Sequence, residues 1–487
     1  MEIRARSKSG RPRSPQATDD LKDDLRTRPE RPEPGRRMPE RAAEPPPGKK
    51  KLPWPVVVFL VAWVIPWDVQ FGPLTMSPYR AVLIVMVLPC LWMCFSGKAG
   101  RVRLADITLL LYCLWGALSL TVLHGIGAAA ETGGILFVET MGAYLIARCY
   151  IRDADDFRNV VRLLFWIVMF FLPFAILEVV TGRNVLGELF AAILPTHHFS
   201  DKEPRWGIRR VQTVFEHPIL FGVACGSILA MVHMVLGYAE TPVSRWRRSA
   251  AVALTAALSM SSGPWSALAV QALLMGWNWG LSQIQARWKI LLGAIAFVLL
   301  MIEIFAKRPL INILFSAFAF DVESAFFRIL IWDLGTLSVA NHPWWGVGLG
   351  EWDRPVWMPP SIDMFWLYHA IIYGLPAGIL MMLTFFAVVV PVSLMKNLDD
   401  KLYQYRAAFL ISMTGLFLMG WMVHFWTATY ELYLFLLGSG VWLLDISRQE
   451  APEARRGSIA RRQGGERPRL QSKRPVRPAV GSAARRP

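Results

Sequence analysis

The sequence predicts an all-α, polytopic integral membrane protein with about twelve transmembrane helices. Apolar residues make up 54% of the 487 and charged residues 18%, where a soluble chain carries about 25% charged residues. The mean hydropathy is +0.36. The apolar residues gather into runs near the roughly 20 residues that a hydrocarbon core about 30 Å thick requires. Together these exclude a soluble globular enzyme, a disordered chain and a disulfide scaffold. The 21 Trp and 20 Met suit interfacial anchoring and adaptable apolar packing.

In chain order the runs cover 53–67, 79–96, 105–123, 132–148, 160–180, 217–237, 249–262, 265–282, 289–306, 364–393, 406–425 and 428–446. They define a membrane domain over 52–446. Residues 1–51 and 447–487 are tails rich in Pro, Arg and Gly, with too few aliphatic residues to bury a core. The tails hold most of the net charge of +16, with 15 basic against 9 acidic residues in 1–51 and 12 against 3 in 447–487. No apolar h-region precedes residue 52, so the first run is expected to remain as a helix. The tails lack interleaved aromatics and a binding fold, so they predict contact with membrane lipids and no nucleic-acid partner. Cys90, Cys94, Cys113, Cys149 and Cys225 all fall in or beside apolar runs, which predicts packing rather than metal ligation.

Charge also orients the chain. With the N-terminus placed in the cytoplasm, every cytoplasmic loop is basic: Lys98/Arg101/Arg103, Arg148/Arg152/Arg158, Arg245/Arg247/Arg248, Arg287/Lys289 and Lys396/Lys401/Arg406. The short outer loops 68–78, 124–131 and 426–427 carry no Lys or Arg. This is the positive-inside pattern, and it puts both termini in the cytoplasm. Two outer loops break it. Loop 181–216 carries Arg183, Lys202, Arg205, Arg209 and Arg210, and loop 307–363 carries Lys307, Arg308, Arg328 and Arg354. These are either solvated loop charges or an anion site on the outer face. Within the loops, 185–194 and 309–320 are apolar but too short to span.

Three stretches carry candidate chemistry. In Arg209-Arg210-Val211-Gln212-Thr213-Val214-Phe215-Glu216-His217-Pro218, two guanidiniums and an imidazole precede a helix start. Bidentate Arg groups and helix N-terminal amides both suit a phosphate. The second stretch runs from Phe327-Arg328 through Trp332 to Asn341-His342-Pro343-Trp344-Trp345-Gly346-Val347-Gly348. Its glycines lack the strand context of a dinucleotide fingerprint. The third is Ser361-Ile362-Asp363-Met364-Phe365-Trp366-Leu367, with His369 and Gly374-Leu375-Pro376 beyond. A desolvated Asp363 suits general-base work, and a plain N-cap is the alternative. Trp344, Trp345, Trp352 and Trp357 are either sugar-stacking platforms or an interfacial belt. Glu139, Glu178, Glu303 and Glu431 lie in or near spans and are either functional or structurally paired. His197-His198 reads as an exposed pair without a metal-site spacing.

The order of these motifs resembles the O-antigen ligase and O-antigen polymerase family of bacterial envelope glycosyltransferases, over most of 53–446. The resemblance rests on Arg210 before the Phe215-Glu216-His217-Pro218 helix start, Arg328 with Trp332, His342-Pro343 with Gly346 and Gly348, and the aromatic-Leu stretch that ends at Gly374-Leu375-Pro376. It implies an inner-membrane transferase with two functional periplasmic loops. Such an enzyme moves a glycan from undecaprenyl pyrophosphate to an acceptor sugar hydroxyl, with inversion and without a metal or other cofactor. It further implies Arg210 and Arg328 as phosphate-binding catalytic residues, with Asp363, or else His369, as the base. Arg205, Arg209, His217, His342 and Trp345 are the expected substrate-binding residues. Partners would be the lipid-linked oligosaccharide and a polysaccharide chain-length regulator. Two positions depart from the family pattern. Ser261-Ser262-Gly263 stands where the family often has Ser-Arg-Gly, and Asp363-Met364 where it often has His-Asn. The second departure favours a polymerase of exopolysaccharide or O-antigen repeat units over a ligase acting on lipid A core. A transporter or flippase of polysaccharide intermediates is the rival from another class, although no inverted repeat supports it. A non-catalytic assembly component is a further alternative.

Overall fold

The computed structural model describes residues 50–72, 74–319 and 322–446. The basic tails expected at the two ends of the chain lie outside these residues, save Lys50 and Lys51. The described chain is mostly helical, as its composition predicts. Six of its helices are long and apolar enough to cross a membrane. In lipid this is the outcome expected, because a helix satisfies its own backbone.

The first helix, α1 (Trp54–Trp63), carries Pro55 in its opening turn, where the missing N–H costs nothing. The expected outer loop 68–78 departs from the all-α expectation. It forms a small antiparallel hairpin, β1 (Val69–Phe71) and β2 (Leu74–Met76), in which Val69 pairs with Met76. Gln70 Nε2 donates to Thr75 Oγ1 at 2.8 Å across it. The Asp68 N–H donates to the Pro195 carbonyl and the His197 N–H to the Pro66 carbonyl, which ties the hairpin to the 181–216 loop.

Helix α2 (Pro78–Phe95) is followed by α3 (Leu104–Ala128), a π turn (Ala129–Gly133) and α4 (Gly134–Tyr150). Helical hydrogen bonding runs almost without a break from 104 to 150, yet the chain reverses at Gly125 (φ 83°, ψ 172°). Gly116 then lies under Leu136, and Gly133 under Ala117. The two apolar runs on either side of 124–131 are thus an antiparallel pair. Only glycine adopts such a backbone freely.

Helix α5 (Ala154–Thr181) is capped by Asp153, whose carboxylate accepts the Asp155 and Asp156 N–H groups. Its 28 residues extend about 42 Å at 1.5 Å per residue, enough to join the two ends of the bundle. At its first end the expected cytoplasmic loops meet. Lys50 pairs with Asp153 and Asp156, Lys401 with Asp155, and Arg103 and Arg148 with Asp445. Arg148 is buried and also donates to the Ala99 and Arg101 carbonyls. At its second end, the short α6 (Val185–Ala191) opens the 181–216 loop.

The centre of the bundle is the 217–237 run, divided into α7 (Pro218–Gly226), α8 (Leu229–Met231) and a π turn (Val232–Leu236). Pro218–Leu236 is the most enclosed of the six spans. Gly222 permits this, because a Cβ there would strike Ser259 and Pro264. Ser259 lies between α9 (Pro242–Ala257) and α10 (Ser262–Gly280), and Pro264 in the first turn of α10. Next comes α11 (Arg287–Phe305), which buries only Arg287 and turns its apolar surface outward.

The two apolar stretches too short to span, 185–194 and 309–320, contain α6 and α12 (Leu310–Ala317). Helix α13 (Val322–Asn341) leads to an irregular stretch, 342–364, that has its own small core. Trp352, Met358, Ile362 and Met364 pack there with Phe315, Ile331 and Leu367. The 364–393 run splits at Gly374 into α14 (Phe365–Tyr373) and α15 (Leu375–Ser393). Gly374 (φ 86°) must be glycine, since a side chain would collide with the Trp344 carbonyl. Helices α16 (Asp400–Met419) and α17 (Ala428–Gly438) complete the main core.

Candidate anion-binding site

The 205–216 segment is shaped by local chemistry before it presents any charge. Arg205 and Ile208 pair across a tight turn through Trp206 (φ 53°) and Gly207 (φ 77°). Arg205 Nη1 donates to the Met260 carbonyl at 3.1 Å, which fastens this turn beside Ser261. The Val211 N–H donates to the Leu258 carbonyl at 3.1 Å. Arg209 and Arg210, adjacent in the chain, take different partners. Arg209 pairs with exposed Asp201 at 3.0 Å. Arg210 Nη2 donates to Ser261 Oγ at 3.0 Å.

Arg328 comes from the second basic loop, within the first turns of α13, and is buried. Its Nη2 donates to Ser262 Oγ at 3.4 Å. The two expected phosphate-binding arginines, from separate loops, thus reach neighbouring serines. Ser261 is the N-cap of α10 and makes no side-chain cap of its own. Its Oγ instead donates to the Ser259 carbonyl and accepts from Arg210. Ser262 stands where the family resemblance expects an arginine. Here the guanidinium arrives from Arg328.

Asp363 joins this group. It is not the N-cap of α14, which is Met364. Its Oδ1 is sealed from solvent and accepts no hydrogen bond. Burial pushes its carboxyl above the usual range, while Lys202, Arg328 and a hydrogen bond from Ser361 pull it back. His217 caps α7, with Nδ1 accepting the Ile219 N–H at 3.1 Å. Burial, with Lys202 and Arg210 nearby, pushes its imidazole down to about 3, so it stays neutral as an acceptor. Lys202 therefore lies within electrostatic reach of both Asp363 and His217. Sequence reasoning named it only as a loop charge, and nothing in its local sequence distinguishes it.

The other expected site residues have different surroundings. His369 is buried in an aromatic cluster with Phe365, Tyr368 and Tyr430, and its Nδ1 is 2.8 Å from the Tyr112 hydroxyl. It is buried there, where it meets rings and the Tyr112 hydroxyl instead of the loop charges. His342 follows the far end of α13, fourteen residues and about 21 Å along the helix axis from Arg328. There it lies 3.9 Å from Asp353. Trp345 stacks on Trp115 of α3, with centroids 5.1 Å apart and planes at 11°, and its carbonyl accepts from Ser119 Oγ. One face of its ring is committed to that contact. The His342–Gly348 turn braces the α14–α15 break. The Leu375 N–H donates to the Pro343 carbonyl, and the Val347 and Gly348 N–H groups donate to the Ile371 and Ile372 carbonyls. Trp352 is buried, whereas Trp344 and Trp357 stay exposed.

The geometry thus defines a class of site, in which cations gather at helix starts around one desolvated carboxylate. Among the described residues, no group of three or more His, Cys, Asp or Glu side chains is arranged to hold a metal ion. No protein-family model matches the chain, and no curated protein matches it.

Proposed function

We propose that the chain is a periplasm-facing glycosyltransferase of the O-antigen ligase and polymerase type, built on twelve spans in a bacterial inner membrane with both termini cytoplasmic. It polymerises exopolysaccharide or O-antigen repeat units carried on undecaprenyl pyrophosphate. The observation that carries this reading is the convergence of Arg210 and Arg328 on Ser261-Ser262, beside Asp363. The class rests on the motif resemblance.

In this reading Arg210 and Arg328 hold the pyrophosphate and neutralise the charge that grows on it as it leaves. Asp363 takes the proton of the acceptor hydroxyl. The hydroxyl oxygen bonds to the anomeric carbon from the face opposite the pyrophosphate. The carbon–oxygen bond to pyrophosphate then breaks, the pyrophosphate departs with the electron pair, and the anomeric configuration inverts. Neutral His217 accepts the Ile219 N–H and keeps the start of α7 in place.

Deletion of the gene, followed by complementation with wild type or Arg210→Ala, tests the reading. Single repeat units should accumulate on the lipid carrier, long chains should vanish, and well-expressed Arg210→Ala should fail to restore them. Long chains stranded on the carrier above a bare lipid A core would reassign the chain as a ligase. Normal glycans in the deletion strain, with no paralogue to cover, would overturn both assignments.

A further inference from the structure

Thr213 has φ 47°, a left-handed backbone that a β-branched residue avoids. Such a conformation persists only where its surroundings over-determine it. Here the α5–α6 corner grips it from both sides. Glu178, in the last turn of α5 and 1% exposed, spends both carboxylate oxygens on this segment. Oε2 accepts the Thr213 N–H at 3.0 Å and Oε1 the Gln212 N–H at 3.3 Å. Asn184 Nδ2 donates to the Thr213 carbonyl at 2.6 Å. Thr213 is itself fully buried, and its hydroxyl has no partner, so the side chain does not explain the conformation.

Three residues upstream of Thr213 is Arg210. Arg209 meets Asp201 and Arg210 meets Ser261, so a slip of one residue along this segment would exchange the two guanidiniums. Glu178 also lies within electrostatic reach of Arg209, which draws that guanidinium toward its own side. We propose that Glu178 is a positioning residue that selects Arg210 over Arg209 for the anion site, by holding the Gln212-Thr213 backbone in one register. The selection rests on the anion-site reading, whereas the backbone clamp stands apart from it.

The test uses the purified full-length chain in detergent, inorganic pyrophosphate as the probe, and amide hydrogen exchange across 205–216. In the wild type, Arg210→Ala should abolish binding and Arg209→Ala should leave it within about twofold. Glu178→Ala should speed exchange at Gln212 and Thr213 and weaken binding about tenfold. In that background Arg209→Ala should cost as much as Arg210→Ala, because the selection is gone. Thr213→Gly should then recover at least about threefold of the loss, because glycine adopts φ 47° without help. Glu178→Gln keeps the shape and one acceptor oxygen, and should fall between wild type and Glu178→Ala even if the alanine variant folds poorly. Wild-type exchange and binding in both Glu178 variants would overturn the proposal. Weaker binding with no recovery from Thr213→Gly would also overturn it, by reducing Glu178 to a general structural role. Binding indifferent to Arg210→Ala would overturn the anion site and the selection with it, while exchange alone would still decide the clamp.

Discussion

The two ends of this bundle use the same residue types to opposite effect. Where the expected cytoplasmic loops meet, cations face carboxylates in closed sets: Lys50 with Asp153 and Asp156, Lys401 with Asp155, and Arg103 and Arg148 with Asp445. At the other end Arg210 and Arg328 point at serine hydroxyls, Lys202 lies within reach, and Asp363 keeps one oxygen without a donor. A closed ion pair between side chains serves as an anchor. At the other end the two arginines reach the hydroxyls of adjacent serines, drawn from two separate loops. Both ends are rich in arginine, and the difference lies in which groups each set brings together.

The contrast can be broken at the open end first. Asp363→Asn should lower glycosyl transfer by about 10²–10⁴-fold, the range for loss of a general base, with expression unchanged. Transfer rates on a lipid-linked acceptor, compared with wild type, check this. Burial raises the Asp363 carboxyl above its ordinary value, and a base must be unprotonated to act. Wild-type activity should therefore rise with pH along an acid limb that lies above the usual carboxylate range. A limb in the ordinary range would remove Asp363 from the base role.

At the closed end the expected loss is in stability. Arg148→Ala removes the buried donor of the Ala99 and Arg101 carbonyls, while Asp445 keeps Arg103. Each buried acceptor left unsatisfied costs about 1–3 kcal/mol, so the variant should unfold at lower temperature in detergent. Any protein that survives should keep its transfer rate. Equal losses of rate at Arg148 and Arg210 would erase the distinction between the ends. The smallest effect is expected at Lys202, which is exposed and therefore screened. Its charge favours ionised Asp363, so Lys202→Ala should move the acid limb to higher pH without abolishing transfer. A limb that stays in place would take Lys202 out of the site.

Much of the architecture was legible from apolar run length alone. The runs at 79–96, 160–180 and 289–306 recur as α2, α5 and α11 to within a few residues, except at the start of α5. That helix begins at Ala154 because Asp153 caps it, in a stretch too polar to count as a span. The hairpin at 69–76 was not legible, because three-residue strands carry no period. The break at Gly374 was also hidden, since an apolar run reads the same through a kink. In the candidate site, Arg210, Asp363 and His217 were visible beside a helix start, and Arg328 as a charge of the second basic loop. His369 was the second candidate for the base, and it lies buried against Tyr112.

Composition and periodicity by themselves determined that this chain is helical and apolar, and that two loops are basic where the positive-inside reading expects few cations. Those are properties of residue type and order, and each is decided within about twenty residues. Tertiary structure alone decided that the two loops share one serine pair, that Arg209 turns away from it, and that Trp345 stacks on Trp115. Each of these depends on which helix ends come together, a distance between residues far apart in the chain that no local pattern encodes.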